Sequence, residues 1–239
     1  MPGRHRRLGG RAGRASRADA AMSRLRLSTL PLAGLLRVQR QPLVDERGAF
    51  ARLFCAQELR DGMLDGMPDG AAGVAGAAPG AAGNGPPHGP TAWLAPPAQI
   101  AQINHSHTAL RGTLRGLHYQ RPPHAEGKLV SCLRGAVWDV ALDLRQGSPT
   151  FLHWHAECLS ADNGCALLIP PGFAHGFQAL TDDAELLYCH WCAHAPAAQA
   201  GLHPLEPRLA IGWPLPAGRI SPRDAGQAWL TPDFQGLCL

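Results

Sequence analysis

Residues 129–145 read LVSCLRGAVWDVALDLR. Two apolar runs flank Arg134 and Gly135, a pair that reads as the turn of a β-hairpin. In the second run Val137, Asp139, Ala141 and Asp143 share one face of an extended strand, while Trp138, Val140, Leu142 and Leu144 share the other. Three more runs follow at similar spacing: FLHWHAECLS (151–160), CALLIPPGFAHGFQAL (165–180) and AELLYCHWCAH (184–194). Each is bounded by Gly, Pro, Asp or Asn. Short strands with no long helical period predict an all-β sandwich or barrel. An earlier strand region covers roughly Leu35–Phe54, with Arg47-Gly48 in VDERGAFARLF as its turn. The tail from Ala217 has no clear period.

The totals agree with this reading. The chain has 239 residues, enough for one domain with extensions. Hydrophobic residues make up 45%, sufficient for a core, and 28 Gly and 22 Pro favour turns over long helices. No window holds the roughly 18 apolar residues a membrane helix needs. The net charge of +4 is unevenly placed. Residues 1–21 carry six arginines against Asp19, which is +5, so the remainder carries 4 − 5 = −1. Nucleic-acid binding is therefore not indicated. Residues 1–21 also lack the apolar core of a secretory signal. They read as a disordered Arg-rich extension, with Met22 the expected start of a single domain over 22–239. Residues 66–90 are almost wholly Gly, Ala and Pro, and read as a disordered insertion within that domain.

Seven cysteines without a signal segment point to reduced thiols and a cytoplasmic setting. Cys189 and Cys192 form a C-x-x-C, but it lies in a strand-like run and no second pair follows, so redox or metal work is not expected of it.

The chemistry gathers in LRGLHYQRPPHAEGK (114–128), where His118 stands between Arg115 and Lys128. A histidine alone in a strand is usually structural. Near fixed positive charges its proton affinity falls, and an anionic substrate has somewhere to bind. Arg115 and His118 have opposite strand parity, so one pocket can hold both only if the strand bulges, which Gly116 permits. In ELLYCHW, Tyr188 and His190 share one face, and Leu187 and Cys189 the other.

DERGAF, QINHS, LRGLHYQ, the lysine ten residues after its histidine, VWDVALDLRQGSPTF, IPPGFAHGF, ELLY and ISPRD occur here in the order seen in dTDP-4-dehydrorhamnose 3,5-epimerases. The chain resembles that family over roughly residues 35–62 and 99–224. The resemblance implies a cupin-type double-stranded β-helix jelly roll with short peripheral helices. It also implies a cytoplasmic homodimer that epimerises a dTDP-4-keto-6-deoxy sugar in dTDP-L-rhamnose biosynthesis, with no cofactor and no metal. His118 matches the base, Asp224 the carboxylate that orients it, Lys128 the group that stabilises the enolate oxygen, and Tyr188 the acid on the opposite face. Arg47, Arg115 and His175 match contacts to the diphosphate or sugar. Gln102 and Asn104 match the outer members of a Gln-Asp-Asn triplet. His194 and Arg223 occupy binding positions where the family has Tyr and often Lys. Further departures are Arg52 and Gln199, where Glu is common, and Ile103 in the middle of the triplet. They bear on the base, the sugar and the number of centres inverted.

Two other readings compete. One is the same chemistry restricted to C3. The other is a metal-binding cupin using His105, His107, His153, His155 and His175, although no acidic residue follows either His-x-His pair at the usual spacing. A non-catalytic sugar-nucleotide binder would be expected to lack His118 or Tyr188, and both are present.

Overall fold

A computed structural model of the chain describes residues 24–65 and 99–239. The Arg-rich extension over 1–21 and the insertion at 66–90 lie outside the described residues.

Besides one 3-10 turn (Pro196–Ala198), thirteen strands and two α-helices occur among the described residues. They are β1 (Leu25–Thr29), β2 (Leu36–Arg40), β3 (Leu43–Asp45), β4 (Gly48–Phe50), α1 (Ala56–Asp65), β5 (Gln102–Thr108), β6 (Leu114–Gln120), β7 (Lys128–Arg134), β8 (Ala136–Asp143), β9 (Trp154–Ser160), β10 (Cys165–Ile169), β11 (Phe173–Ala179), β12 (Ala184–His190), β13 (Gln199–Gly201) and α2 (Pro222–Ala225). Two antiparallel sheets, ordered β1-β2-β10-β7-β12-β5 and β13-β6-β11-β8-β9, make up the jelly roll, and β3-β4 is a separate hairpin.

Three apolar clusters explain the layering. Between the sheets lie Val130, Val137, Ala141, Leu159, Leu167, Ile169, Phe173, Phe177 and Leu186. On the outer face of the six-stranded sheet Leu25, Val38, Leu129, Leu168 and Cys189 pack with Leu59 and Met63 of α1. On the outer face of the five-stranded sheet Leu117, Val140, Leu142 and Leu144 meet Leu202, Leu209, Leu230 and Leu237 of the C-terminal segment. The two faces of β8 thus serve two cores, as strand parity predicts. The tail without a period is the cover of the second core.

The hairpin expected at Arg134-Gly135 does not form. β7 pairs with β10 and β12, and β8 pairs with β11 and β9. Gly135, at φ +69°, turns the chain from one sheet to the other, and a Cβ there would collide with Thr181 Oγ1. Both flanking runs are buried on both faces, so their apolar content carries no record of which strand is the partner. The early strand region also divides: Glu46 and Arg47 form the β3–β4 turn, and Gly48 opens β4.

Gly116 behaves as the parity argument requires. β6 pairs with β11 through His118↔His175 and Arg115↔Phe177, so three steps on β6 oppose two on β11. Gly116 sits in this bulge at φ +119°, and a Cβ there would lie 2.6 Å from Gly176 Cα and 2.8 Å from His175 O. Both obstacles are backbone, which cannot swing aside. Gly116→Ala should therefore lower stability by about 3 kcal/mol, read as a lower unfolding midpoint; a midpoint equal to wild type would contradict the bulge.

Candidate active site

The bulge brings Arg115 and His118 to one cavity of about 530 Å³. The five-stranded sheet contributes these two and His175; the six-stranded sheet contributes Lys128, Tyr188 and the β5 residues Gln102 and Asn104. His194 stands at the cavity as well.

His118 is half-buried, and its Nε2 lies 2.6 Å from Asp224 Oδ1. The other oxygen, Oδ2, accepts the Gly116 N–H at 3.3 Å. Asp224 is buried in the first turn of α2, where Pro222 suits the opening position and the Ser221 hydroxyl accepts the Asp224 N–H at 3.0 Å. Burial opposes ionisation of Asp224. The hydrogen bond and charge of His118, with the Gly116 and Ser221 contacts, outweigh it and hold the carboxyl below its usual range. The charge in contact with His118 is thus the Asp224 carboxylate, not Arg115 or Lys128 as the sequence spacing suggested. With Nε2 committed to Asp224, Nδ1 is the nitrogen left for a substrate proton.

Tyr188 packs against the inter-sheet core, with its hydroxyl 3.4 Å from Ser106 Oγ. The His175 ring meets it edge-on at 5.9 Å, and the His190 ring lies nearly parallel at 6.0 Å. Burial drives the phenol well above its ordinary value, and the Ser106 contact offsets this only in part, so Tyr188 carries its proton at neutral pH. His175 Nε2 is 2.8 Å from the fully buried Asp139 Oδ1. Arg115 donates to Thr108 Oγ1 at 3.0 Å and to the His107 carbonyl at 3.1 Å. Both acceptors are neutral, so neither cancels the guanidinium charge, and the cavity keeps a cation suited to an anionic ligand.

Gln102 donates to Asn104 Oδ1 at 3.0 Å, and its own Oε1 accepts the His194 backbone N–H at 3.1 Å. Two predicted binding residues are not brought to this cavity. Arg47 is exposed at the tip of the β3–β4 hairpin and pairs with Asp45; Arg223 is exposed on α2. Of the departures, Ile103 and Gln199 line the cavity, whereas Arg52 pairs with Glu58 in the first turn of α1. The histidines considered for a metal go separate ways: His105 to Glu185, His107 to Asp183, His155 to Glu157 and His175 to Asp139. Among the described residues no group of three or more His, Cys, Asp or Glu is arranged to hold a metal.

The sequence assigned no part in the site to Glu126, His190, Asp139 or Ser106. Strand parity places His190 on the face of Tyr188, and Asp139 on the face it shares with Val137, Ala141 and Asp143, but neither placement by itself points to the site. Glu126 lies outside any strand and gave no signal.

A family model described as dTDP-4-dehydrorhamnose 3,5-epimerase matches residues 92–231. The chain belongs to this epimerase family. A dTDP-4-dehydrorhamnose 3,5-epimerase of Shigella flexneri is 42% identical over 137 residues, covering 57% of this chain and 75% of that protein. A dTDP-4-dehydrorhamnose 3-epimerase of Streptomyces niveus is 43% identical over 128 residues, covering 54% of this chain and 61% of the relative. Among solved structures, the dTDP-6-deoxy-D-glucose-3,5-epimerase of Legionella pneumophila, in complex with dTDP-4-keto-L-rhamnose, superposes with a TM-score of 0.68 at 32% identity. That match covers 86% of this chain and 92% of the other. Epimerases are isomerases, and the jelly roll is the fold of these neighbours.

The electrostatics of this family member make one pH prediction. Burial alone would raise the Glu126 carboxyl, but hydrogen bonds and charge from His190 and Lys128 hold it at about 2, against an ordinary 4.5. A depressed folded-state value stabilises the fold fully above about pH 4.5, and that stability is lost as pH falls toward about 2. Glu126→Gln should flatten the fall of the unfolding midpoint in this window. An unchanged slope would contradict the assignment.

Proposed function

We propose that the chain is a dTDP-4-dehydro-6-deoxy-D-glucose 3,5-epimerase giving dTDP-4-dehydro-L-rhamnose, and that His118 and Tyr188 exchange the protons. One observation carries this reading: a carboxylate-held imidazole and a protonated phenol line the same cavity from opposing sheets. The protons at C3 and C5 flank the C4 ketone. His118 takes one of them, and the electron pair left on carbon moves into the C4 carbonyl. Asp224 stabilises the imidazolium that forms. Lys128 donates to the charged C4 oxygen. Tyr188 gives its proton to the carbon from the other face, which inverts the centre, and solvent returns each residue to its starting state. The ketone already in the substrate supplies the electron sink, so the cycle calls for no cofactor.

Arg115 serves the diphosphate in this proposal, and Gln102, Asn104, His175 and His194 the sugar and base. The exposed hairpin residues Leu43, Val44 and Phe50 favour a homodimer, tested by a solution mass of two chains. A binding role for Arg47 is open only if that hairpin meets the cavity of the second copy. The free cysteines suit a reducing cytoplasm. The Streptomyces niveus relative, named a 3-epimerase, keeps the C3-only reading as the alternative.

Supplied with dTDP-4-keto-6-deoxyglucose and a rhamnose-forming reductase, the wild type should drive nucleotide oxidation, and His118→Ala should lose about a hundredfold or more. In D₂O the product should carry deuterium at C3 and C5. Label at C3 alone would select the alternative, and no wild-type turnover would defeat both.

A further inference from the structure

The chain holds 21 arginines and a single lysine, Lys128. That lysine is buried at the cavity, and its ammonium lies 2.8 Å from Glu126 Oε1. The other carboxylate oxygen lies 2.9 Å from His190 Nδ1 and accepts a longer bond, 3.4 Å, from Gln120. Glu126 and His190 are themselves almost enclosed, with side chains 12% and 10% exposed. The chain of contacts continues from His190 Nε2 to Asn104 at 3.4 Å, while the His190 ring lies along Tyr188. One carboxylate therefore joins the lysine to the wall on which Tyr188 rests.

A buried ammonium without a partner is strongly disfavoured as a charge, and its four-carbon stem leaves it free to wander. We propose that Glu126 is a positioning residue for the proton-transfer reaction, fixing the Lys128 ammonium at the cavity wall and, through His190, the surface behind Tyr188. This rests on the epimerase reading above. A role as acid or base does not suit Glu126: held ionised down to about pH 2, it has no proton to give at neutral pH and little affinity for one. Its negative charge is also the wrong sign to stabilise an enolate directly. Its contribution comes through the lysine, which gives one N–H to the carboxylate and keeps the others for the substrate oxygen. Glutamine can retain both contacts, accepting from Lys128 and bonding His190, whereas alanine retains neither.

The test uses the full chain with Glu126→Ala and Glu126→Gln. Steady-state kinetics on dTDP-4-keto-6-deoxyglucose separates kcat from KM. Selective ¹³C,¹⁵N-lysine labelling gives the side-chain signals of Lys128 alone. For Glu126→Ala we expect kcat to fall about thirtyfold with KM within about threefold, and Glu126→Gln to keep kcat within about fivefold of wild type. In the labelled wild type the two Cε protons should be distinct, as in an immobile side chain, and should merge in Glu126→Ala. The proposal is overturned by an Ala variant with wild-type kcat, by a loss confined to KM, or by Cε protons that stay distinct. If the Ala variant does not fold, Glu126→Gln decides: a kcat within about fivefold supports the proposal and a larger loss overturns it. A wild type without turnover would defeat the epimerase reading, while the lysine signals would still report whether Glu126 holds Lys128.

Discussion

The contact on which the site depends is the 2.6 Å hydrogen bond between His118 and Asp224, residues 106 apart in sequence. It ties a strand of the five-stranded sheet to a one-turn helix in the C-terminal segment. That helix stays in place because its segment buries Leu202, Leu209, Leu230 and Leu237 on the outer face of the same sheet. Orientation of the imidazole is thus linked to an apolar core on the far side of β6 from the cavity. Asp224 is itself fixed from two directions, by Gly116 N–H on the strand and by Ser221 at the helix start. An aspartate so held resists rotation, and the imidazole inherits that rigidity.

The two sheets divide the chemistry. One carries His118 and Arg115; the other carries Tyr188 and Lys128. A planar enolate between them would meet a proton acceptor on one face and a proton donor on the other. In the proposed cycle inversion would follow from the sandwich itself, because neither residue would have to move around the sugar. The charges are arranged to match. Each carboxylate close to the chemistry is engaged by a histidine or the lysine, whereas the contacts of Arg115 leave its charge available.

Much of this was legible in the sequence. The parity of β8 separated Val137 and Ala141 from Val140 and Leu142 correctly, since each face of that strand meets its own core. The opposite parities of Arg115 and His118 implied a bulge, and Gly116 was the residue able to make it. The partner of each strand was not legible: a run buried on both faces shows no alternation, and Gly135 marks a corner as readily as a hairpin turn. Asp224 came only through the resemblance of ISPRD, because the tail that delivers it has no period to read. Glu126 was out of reach altogether, since its importance depends on His190, 64 residues later, being folded against it.

The central claim is that His118 and Tyr188 act on opposite faces of one intermediate, and isotope exchange in Tyr188→Phe tests it most directly. In D₂O this variant should place deuterium into recovered dTDP-4-keto-6-deoxyglucose without inverting it, because His118 can still remove a proton and return a deuteron to the same face. His118→Ala should show neither exchange nor inversion. Inversion by Tyr188→Phe at the wild-type rate, or exchange by His118→Ala at the wild-type rate, would contradict the account.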